Sequence, residues 1–503
     1  MTRVIVIGAG VAGLASAIRL QNEGYQVTIV EKQSHVGGKM NRVDFDGYTF
    51  DLGPTIVMMP ELYREIFELT GVDADDYIPM RRLDPMYSSY FDHGQTRFEV
   101  SNDLVKMREM FESVSEADAA GFLRYLSDLY SRFLTAKDYF LQRSFNRKRD
   151  FYNFTTLYQG MKLKTLNSAE KLLQKYISDQ RMRQMISFQT LYIGISPHKG
   201  PSLYTIIPLI EFVYGVWFIQ GGMRTMAESM ARRFKEMGGD IQLETPVTDI
   251  CVSEGIVQGV QTPESRLASD IVLCNADFPY AMKYLLEEPQ HKGNYPDKKI
   301  DRMDYSCSCL VFYFGMDQKF NALSTVHNFV FSENLDRNIH QIFEGDVITD
   351  PSLYFYVASQ LDPSLAPEGK DGIYVLMPVS NTQVMKYQWT EAMTDYYRQK
   401  VLDKMSELPE FERFAQHIQS ERVTTPKDFE QDFNAYYGAT FGLMPTLAQS
   451  NHLRPQSKSA NVRGLYFTGS STHPGAGVPI VLLSAKIAVE EILKDARGGH
   501  YEK

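Results

Sequence analysis

Apolar runs and glycine turns alternate in the first part of the chain. Arg3–Ile7 and Gln26–Val30 are apolar enough to form buried strands, and apolar residues recur at helical spacing over about Ala12–Asn22 between them. Gly24 then follows at the position where glycine commonly ends a helix. The pattern therefore predicts a strand, a tight turn, a helix and a second strand within residues 2–32.

Further along, the pattern switches between the periods of strands and helices. Alternating apolar and polar residues predict strands of a second sheet from about 86 to 100 and over 305–380, whereas residues 103–190 contain charged amphipathic stretches typical of helices. Stretches with nucleotide-domain character occur at the start, middle and end of the chain, which indicates domains that are discontinuous in sequence. We predict an α/β fold with three parts: a Rossmann-like dinucleotide-binding domain (1–85, 221–290 and 430–503), a β-sheet substrate domain (86–102 and 291–429) and a helical subdomain (103–220).

The same periodicities give bounds for individual elements. The predicted helices are 61–71, Asp103–Ser113, Phe122–Phe140, Thr225–Met237 and Glu391–Met405. The predicted strands are Ile241–Leu243, Val247–Val252, Ile256–Val260, Ile271–Cys274, Ser308–Phe314, Tyr354–Ala358 and Tyr374–Pro378. The sequence contains no internal repeat, low-complexity segment or long linker.

Composition and charge exclude some classes of function. The 503 residues include 62 acidic and 52 basic side chains, giving a net charge of −10, which argues against nucleic acid as the main partner. The 4 cysteines are too few for a disulfide framework and match no zinc spacing, so we expect no metal site and a reducing, cytoplasmic location. The chain starts directly with a predicted strand and carries no secretory signal pattern.

Hydrophobicity leaves two interpretations open. No stretch reaches the roughly 18 apolar residues of a membrane-spanning helix, and the nearest, Leu203–Ile219, is interrupted by Pro208 and Glu211. Yet 44% of the chain is hydrophobic, with 30 Tyr and 30 Phe. Most of these aromatic residues are expected in a large core, and the alternative is a long apolar tunnel or a face that lies on a membrane.

A glycine-rich turn near the N-terminus carries the first candidate chemistry. Gly8-x-Gly10-x-x-Gly13 follows four apolar residues and precedes a helix, and Glu31 ends the next strand. In such a turn the three glycines permit a tight bend, a close approach of the backbone to a pyrophosphate, and close packing of helix on strand. The helix N-terminus offers free N–H groups to phosphates, and Glu31 would accept hydrogen bonds from ribose hydroxyls. This context favours a dinucleotide site over a plain strand–helix turn.

A second glycine turn near the C-terminus pairs with the first. The apolar run Leu465–Phe467 leads to Gly469, and the segment Gly475–Pro479 precedes another helix. One dinucleotide held by both ends of a long chain is more typical of a flavin than of a nicotinamide cofactor, so we predict FAD. The second helix N-terminus would lie toward the pyrimidine end of the flavin and stabilise negative charge on its reduced form. His473 is an acid–base candidate there, although a loop histidine beside Pro474 is more often structural.

Two further segments resemble parts of flavin amine oxidases and their relatives. Glu31–Lys39 is similar to the segment after their second strand, where a basic residue lies along the phosphates; that residue is usually Arg, and Lys39 keeps its charge without the bidentate fork. Phe50–Thr55 occupies the place where that group lines the isoalloxazine, with an ordinary turn as the alternative. The FAD-binding residues that we predict are Gly8, Ala9, Gly10, Val11, Ala12, Gly13, Glu31, Lys32, Gly38, Lys39, Gly53, Pro54, Thr55, Val247, Gly469, Gly477 and Val478.

Five segments carry a resemblance to one family. They are Phe50–Pro60, Ser187–Gly194, Gly200–Tyr204, Phe441–Ser450 and Thr472–Pro479. On these segments, and nearly end to end, the chain resembles bacterial carotenoid desaturases of the phytoene desaturase type, most closely the C30 branch that acts on dehydrosqualene. The resemblance implies an FAD-binding fold of the amine oxidase and dissociation-inhibitor kind, an apolar linear polyene as substrate and peripheral attachment to the cell membrane. It leaves the electron acceptor, a quinone or oxygen, open.

The reaction that the resemblance implies is the introduction of successive double bonds into dehydrosqualene, giving 4,4′-diaponeurosporene. Such a step needs a hydride acceptor, which flavin N5 can be, beside an allylic carbon, and proton loss from the neighbouring carbon. The protein would then mainly position the polyene and stabilise the allylic cation with aromatic walls.

Two carboxylates are candidates for the proton acceptor. The resemblance aligns Asp150 with an aspartate considered for the active site, but the arginine three residues later is replaced by Asn153, so a helix cap or a solvated charge is the alternative. Glu211, in the apolar run 203–219, is the second candidate. A buried carboxylate there would have a raised pKa or a partner, and a structural pairing is its alternative.

Other functions stay open on the sequence alone. A flavin-dependent C30 carotenoid oxidase, which converts a terminal methyl group to an aldehyde, shares every motif above, although the segments 187–204 and 441–450 favour the desaturase. A non-enzymatic isoprenoid carrier of the same fold would not need two intact glycine motifs. An amine oxidase would be expected to have a polar, amine-selective site.

The helical subdomain is the candidate membrane contact. A C30 hydrocarbon resides in the bilayer, so an enzyme that acts on it is expected to dock there. Residues 103–220 mix aromatic side chains with Lys162, Lys164 and Lys171. An ordinary solvated helical face is the alternative.

Overall fold

A computed structural model gives the structure of the chain and describes residues 2–141, 153–154, 156, 158–159, 169–196, 200 and 206–498. Asp150, Lys162 and Lys164 lie outside the described residues, so their predicted roles stay predictions. Within the described residues, two large sheets and a set of helices account for most of the regular structure.

The strands and helices are numbered in chain order. The strands are β1 (Arg3–Ile7), β2 (Gln26–Val30), β3 (Arg42–Phe45), β4 (Tyr48–Asp51), β5 (Met80–Leu83), β6 (Tyr87–Phe91), β7 (Thr96–Val100), β8 (Val216–Ile219), β9 (Asp240–Gln242), β10 (Asp249–Ser253), β11 (Ile256–Gln261), β12 (Arg266–Ala268), β13 (Ile271–Cys274), β14 (Ser308–Met316), β15 (His327–Val330), β16 (Leu353–Tyr356), β17 (Gly372–Val379), β18 (Ile418–Thr424) and β19 (Leu465–Phe467). The α-helices are α1 (Val11–Asn22), α2 (Pro60–Glu68), α3 (Leu104–Glu112), α4 (Glu116–Ala136), α5 (Ala169–Leu173), α6 (Gln180–Ser187), α7 (Ile206–Tyr214), α8 (Arg224–Glu236), α9 (Phe278–Tyr280), α10 (Asp297–Ile300), α11 (Leu335–Glu344), α12 (Glu391–Ser406), α13 (Pro426–Phe433) and α14 (Val478–Arg497).

The first sheet is parallel, with the strand order β19-β13-β1-β2-β9. Its central strand is buried from Val4 to Ile7, as expected of a parallel strand that helices cover on both faces. Helix α1 follows β1 and packs against α14 and α8. Small buried residues of α1, among them Ala12 and Ala15, let these helices approach closely. The sheet therefore joins the two ends of the chain and its middle.

The second sheet is mixed, with the strand order β18-β14-β17-β16-β15-β6-β7. Its central strands are apolar on both faces, and every residue of β14 and β15 is buried. One face packs on α12 and its surroundings, where Phe355 contacts Phe411. The other face points toward the first sheet and toward the helices between α3 and α7. This second face contributes residues to the cavity described below.

Smaller elements complete the fold. Strands β10, β11 and β12 form an antiparallel sheet, while β3 pairs with β4 and β5 with β8. Helices α3 to α7 form the helical part, in which a π-helix, Lys137–Leu141, continues α4. In the described part of the chain, no helix combines the length and the apolar composition that crossing a bilayer requires.

The predicted elements agree closely with these bounds. The strands Arg3–Ile7, Gln26–Val30 and Ile271–Cys274 are confirmed as stated, and most helices shift by a few residues at their ends. The apolar run 203–219, for which no element is predicted, contains helix α7 and ends in strand β8, since residues 216–219 pair with β5. The α/β fold class is confirmed. The three-part domain division stays a proposal.

Candidate functional site

A cavity of about 480 Å³ is lined by residues of both large sheets. Its polar part lies at the carboxyl ends of β1, β2, β13 and β19, where parallel sheets commonly bind ligands. Its apolar part is formed by the second sheet and by the segment that follows α6. The cavity thus joins a surface suited to a dinucleotide to a surface suited to a hydrocarbon.

The first glycine turn forms one wall of the polar part. Gly8 has a φ of +93°, which L side chains rarely adopt. A Cβ on Gly10 would lie 2.8 Å from Nδ2 of Asn275, and a Cβ on Gly13 would lie 2.1 Å from the carbonyl oxygen of Gly8. Gly8 and Gly13 are therefore required by backbone geometry, a side chain on Gly10 would displace the Asn275 amide, and the bare backbone leaves room for a ligand beside it.

Glu31 is fixed at the end of β2. One carboxylate oxygen accepts a hydrogen bond of 2.7 Å from the N–H of Ala9, and the other accepts one of 2.9 Å from the N–H of Gln33. The side chain is buried and lines the cavity. A carboxylate held in this way can still accept hydrogen bonds from two vicinal hydroxyls, as the ribose of a dinucleotide offers.

Two helix N-termini open into the same cavity. Helix α1 begins after Gly10 and α14 begins after Gly477, and no side chain caps either of them. Neither helix has an acidic residue in its first turn. Both ends therefore present free N–H groups and a positive dipole end to whatever the cavity holds. This arrangement suits an anionic group at α1 and a charge that develops at α14.

A half-buried lysine and a half-buried aspartate lie in the polar part. Lys39 donates a hydrogen bond of 2.6 Å to the carbonyl oxygen of Thr440. Asp277 accepts hydrogen bonds from the hydroxyl of Ser471 and the N–H of Tyr436. Burial lowers the pKa of Lys39 and raises that of Asp277, and the mutual attraction of the two charges opposes both shifts. The charges of Lys39 and Asp277 therefore offset each other at this point of the cavity.

The segment Gly53–Thr55 is tied to the second sheet by two tyrosines. The hydroxyl of Tyr374 donates to the carbonyl oxygen of Gly53 at 3.2 Å, and the hydroxyls of Tyr354 and Thr55 lie 2.5 Å apart. Both tyrosines and the segment line the cavity. The junction between the polar and apolar parts is therefore held by side chains of β16 and β17.

The apolar part follows from strand register. Phe329, Tyr354 and Leu376 lie opposite one another on β15, β16 and β17, so their side chains project from the same face. The cavity-lining residues of this part are Phe188, Leu191, Cys309, Val311, Phe329, Tyr354, Tyr374 and Leu376. They offer a long hydrocarbon aromatic and aliphatic contacts and few hydrogen bonds.

Glu211 lies behind this wall. Its Oε2 accepts a hydrogen bond of 3.1 Å from the hydroxyl of Tyr87 and a shorter one from Nε2 of Gln189. The ring of Tyr87 packs edge-on against Phe329, which lines the cavity, whereas Glu211 does not. Burial raises the pKa of Glu211 to about 8. This arrangement supports the structural-pairing alternative for Glu211.

The predicted FAD-binding residues come together in this cavity. All of them line it except Ala9 and Gly13, which support it through the contacts described above. His473 is buried beside the second turn and does not line the cavity. The cavity therefore unites both glycine turns, although they lie at opposite ends of the chain.

Several cavity residues were missed by the sequence analysis. Asn275 and Asp277 directly follow β13, and polar residues after a buried parallel strand are a signal that could have identified them. Tyr354, Tyr374 and Phe329 carry no such signal, because nothing in a strand marks which face borders a cavity.

The glycine turn that leaves room for a pyrophosphate, the Glu31 carboxylate that can bind ribose hydroxyls and the two uncapped helix N-termini fit FAD. The chain belongs to the family of flavin containing amine oxidoreductases, whose model matches residues 11–493, and FAD is its cofactor. Within that family it falls with the carotenoid desaturases. It is 45% identical over 501 residues to the 4,4′-diapophytoene desaturase (4,4′-diaponeurosporene-forming) of Staphylococcus aureus (strain Newman), covering 99% of this chain and 100% of the relative. The predicted family is thereby confirmed.

Solved structures agree on the fold. An oxidoreductase from Methanosarcina mazei superposes with a TM-score of 0.64 at 14% identity, covering 98% of this chain and 100% of that one. Wild-type putrescine oxidase bound to putrescine superposes with a TM-score of 0.64 at 15% identity, covering 98% and 99%. At these identities the similarity concerns the fold alone.

Proposed function

We propose that this protein is an FAD-dependent desaturase that introduces successive double bonds into a linear C30 carotenoid precursor, converting dehydrosqualene to 4,4′-diaponeurosporene. The observation that carries the proposal is the cavity itself, in which a dinucleotide cradle continues into an apolar, aromatic wall. The 45% identity to a desaturase of this activity supports the choice of substrate.

The residues of the polar part would hold the cofactor. The N–H groups at the start of α1 would bind the pyrophosphate, Glu31 the ribose, and the segment Gly53–Thr55 together with the start of α14 the flavin ring. When bound, FAD supplies a hydride acceptor for an allylic C–H bond. The dipole of α14 would stabilise negative charge at that end of the cavity.

The apolar part would bind and orient the polyene. Phe188 and Phe329 offer ring faces and edges, and the tyrosine hydroxyls at the junction are already occupied by Gly53 and Thr55. A hydrocarbon can therefore enter without leaving buried polar groups unpaired. The aromatic rings would also stabilise a delocalised cation and exclude water from it.

Product analysis tests the function. We expect the FAD-reconstituted protein, incubated separately with dehydrosqualene and phytoene, to convert dehydrosqualene to a coloured conjugated polyene. The same protein without FAD is the control. No change in dehydrosqualene would refute the proposal, and formation of an aldehyde from added 4,4′-diaponeurosporene would instead identify a terminal-methyl oxidase. Repeating the reaction without oxygen, with and without a quinone, identifies the electron acceptor.

We also propose that the helical part docks on the cytoplasmic face of the membrane. On α4, Leu123, Tyr130 and Leu134 share one face at helical spacing and are 41%, 48% and 42% exposed, and Phe154 is 87% exposed. Such a group of exposed apolar side chains is typical of interfacial contacts. We expect the wild type to float with anionic liposomes and a Leu123→Glu, Leu134→Glu variant to remain in the soluble fraction. Equal flotation of both proteins would contradict this surface.

A further inference from the structure

A chain of hydrogen bonds leads from the cavity into the second sheet. Oγ1 of Thr55 lies 2.5 Å from the hydroxyl oxygen of Tyr354, which in turn lies 2.7 Å from Nδ1 of His327. Thr55 and Tyr354 line the cavity, whereas His327 is fully buried and does not. The chain therefore starts where the FAD-binding segment meets the apolar wall and ends inside the protein.

His327 is an unusual residue for such a place. Its ring stacks on that of Tyr356 at 4.6 Å, and its Nε2 has no hydrogen-bond partner among the described residues. Burial lowers its pKa to about 3, so the resting imidazole is neutral. In the tautomer that carries its proton on Nε2, the unprotonated Nδ1 faces Tyr354 and accepts a hydrogen bond from its hydroxyl, and the relay below uses this tautomer.

The proposed reaction needs a proton acceptor within reach of the polyene. Glu211 lies behind the apolar wall, where one of its carboxyl oxygens accepts hydrogen bonds from both Tyr87 and Gln189. The hydroxyl of Tyr374 donates to the carbonyl oxygen of Gly53, which cannot take a proton onward. Among the described residues of the apolar part, Tyr354 couples a cavity-lining oxygen to a buried base.

We propose that Tyr354 accepts the proton that the substrate loses and passes its own proton to Nδ1 of His327. In this step, which rests on the proposed function, a C–H bond of the substrate breaks and its electron pair becomes the new double bond. An O–H bond forms at Tyr354 as its previous O–H bond breaks, and an N–H bond forms at His327. Bound FAD would supply the acceptor for the hydride of the adjacent carbon, so electrons and protons balance.

A weak base is sufficient for this role. A C–H bond beside a delocalised cation is strongly acidic, so the position of the acceptor matters more than its basicity. A buried imidazolium without a counterion is unfavourable. Once the product has left, His327 therefore returns its proton to Tyr354 while the Tyr354 hydroxyl gives up a proton to water in the emptied cavity. His327 therefore stores the proton only while the polyene excludes water.

Three single variants test the relay in anaerobic single turnovers that follow flavin reduction and polyene formation. Tyr354→Phe and His327→Phe should each lower the rate of polyene formation by about 100-fold, the size expected for general acid–base catalysis. The Phe ring of His327→Phe keeps an aromatic ring stacked on Tyr356. Tyr374→Phe is the matched control, because it removes a hydroxyl that holds the same segment but does not reach His327. It should stay within about tenfold of wild type.

The kinetic isotope effect separates a relay from a packing defect. With substrate deuterated at the proton-losing carbon, we expect a larger isotope effect in Tyr354→Phe and His327→Phe than in wild type, and no change in Tyr374→Phe. The double variant should be no slower than the slower single variant, since both act on one step. FAD affinity, measured by flavin fluorescence, should be equal in wild type and Tyr354→Phe.

Other results overturn the relay. The relay is refuted if wild type makes polyene and Tyr354→Phe forms it at a rate within tenfold of wild type. It is also refuted if Tyr354→Phe and Tyr374→Phe lower the rate equally, or if the isotope effect of Tyr354→Phe equals that of wild type. If wild type makes no polyene from dehydrosqualene, the proposed function fails instead. The two failures are thereby distinguished.

Discussion

The two parts of the cavity are built by different means. In the polar part, backbone geometry sets the site: glycines that tolerate no side chain, uncapped helix ends and one fixed carboxylate. In the apolar part, side chains set the site, and their direction follows from the register of β15, β16 and β17. Adding or changing a single atom in the polar part should therefore abolish or strongly weaken FAD binding. Substitutions in the apolar part should lower activity by smaller amounts.

Gly13→Ala should have the largest effect. The added Cβ would lie 2.1 Å from the carbonyl oxygen of Gly8, so α1 must move away from β1 and the pyrophosphate site is lost. We expect FAD affinity to fall by at least about 100-fold, because overpacking costs about 1–3 kcal/mol and the ligand contacts are lost as well. Isothermal titration with FAD measures this.

Gly24→Ala is the matched control. Gly24 also has a positive φ, of +84°, but nothing lies within 4 Å of an added Cβ. It should lower stability by about 1–2 kcal/mol through backbone strain and leave FAD affinity unchanged. Equal FAD binding by both variants would show that the polar part is not set by backbone geometry.

Glu31→Gln should weaken FAD binding next. The amide keeps the shape, but its NH2 group cannot accept the hydrogen bond that the replaced oxygen accepts from the N–H of Ala9 or Gln33. The remaining bond also loses its charge, and hydrogen bonds to charged groups contribute about 1.5–3 kcal/mol each. We expect an affinity loss of about 10–100-fold, measured by the same titration. Glu23→Gln, outside the cavity, should change nothing; an unchanged affinity in Glu31→Gln would remove Glu31 from the site.

Phe329→Ala tests the apolar part. Because the ring lines the cavity on β15, we expect kcat/KM for dehydrosqualene to fall by about tenfold, through about 1–3 kcal/mol of lost apolar contact, with FAD affinity unchanged. Phe355→Ala is the control: Phe355 is also buried, but its ring contacts Phe411 on the opposite face of the sheet. Phe355→Ala should lower the free energy of unfolding about as much as Phe329→Ala does, without a specific change in KM for dehydrosqualene. A loss of FAD affinity in Phe329→Ala would break the separation of the two parts.

Glu211→Gln should have the smallest effect on activity, within about tenfold of wild type. Its clearer effect is on stability. The folded-state pKa is raised from 4.5 to about 8 by burial, so the folded state keeps a proton that the unfolded state loses. The contribution of Glu211 is therefore full below the unfolded pKa and declines as pH rises through about 8. Thermal unfolding should show this decline in wild type and less of it in Glu211→Gln; a 100-fold loss of activity would instead restore Glu211 as a catalytic candidate.

The same contrast explains what the sequence could predict. The β1 strand, the glycine turn and Glu31 are neighbours in sequence, and their local geometry requires particular residue types, so both the elements and most of the polar part could be predicted. The wall of Phe329, Tyr354 and Tyr374 depends on how distant strands pair. Alternation predicts those strands but not which face borders the cavity, and it gives no sign that His327 meets Tyr354.

The strand order of the first sheet has a consequence for biosynthesis. Strand β19 pairs with β13, and α14 packs on α1, so the cofactor site is completed by residues more than 450 positions after its first glycine turn. A nascent chain that ends before Leu465 has the pyrophosphate turn but lacks the helix end at Gly477. The complete cofactor site therefore forms only after α14 has been synthesised, and the supply of free FAD then acts on the folded population by mass action.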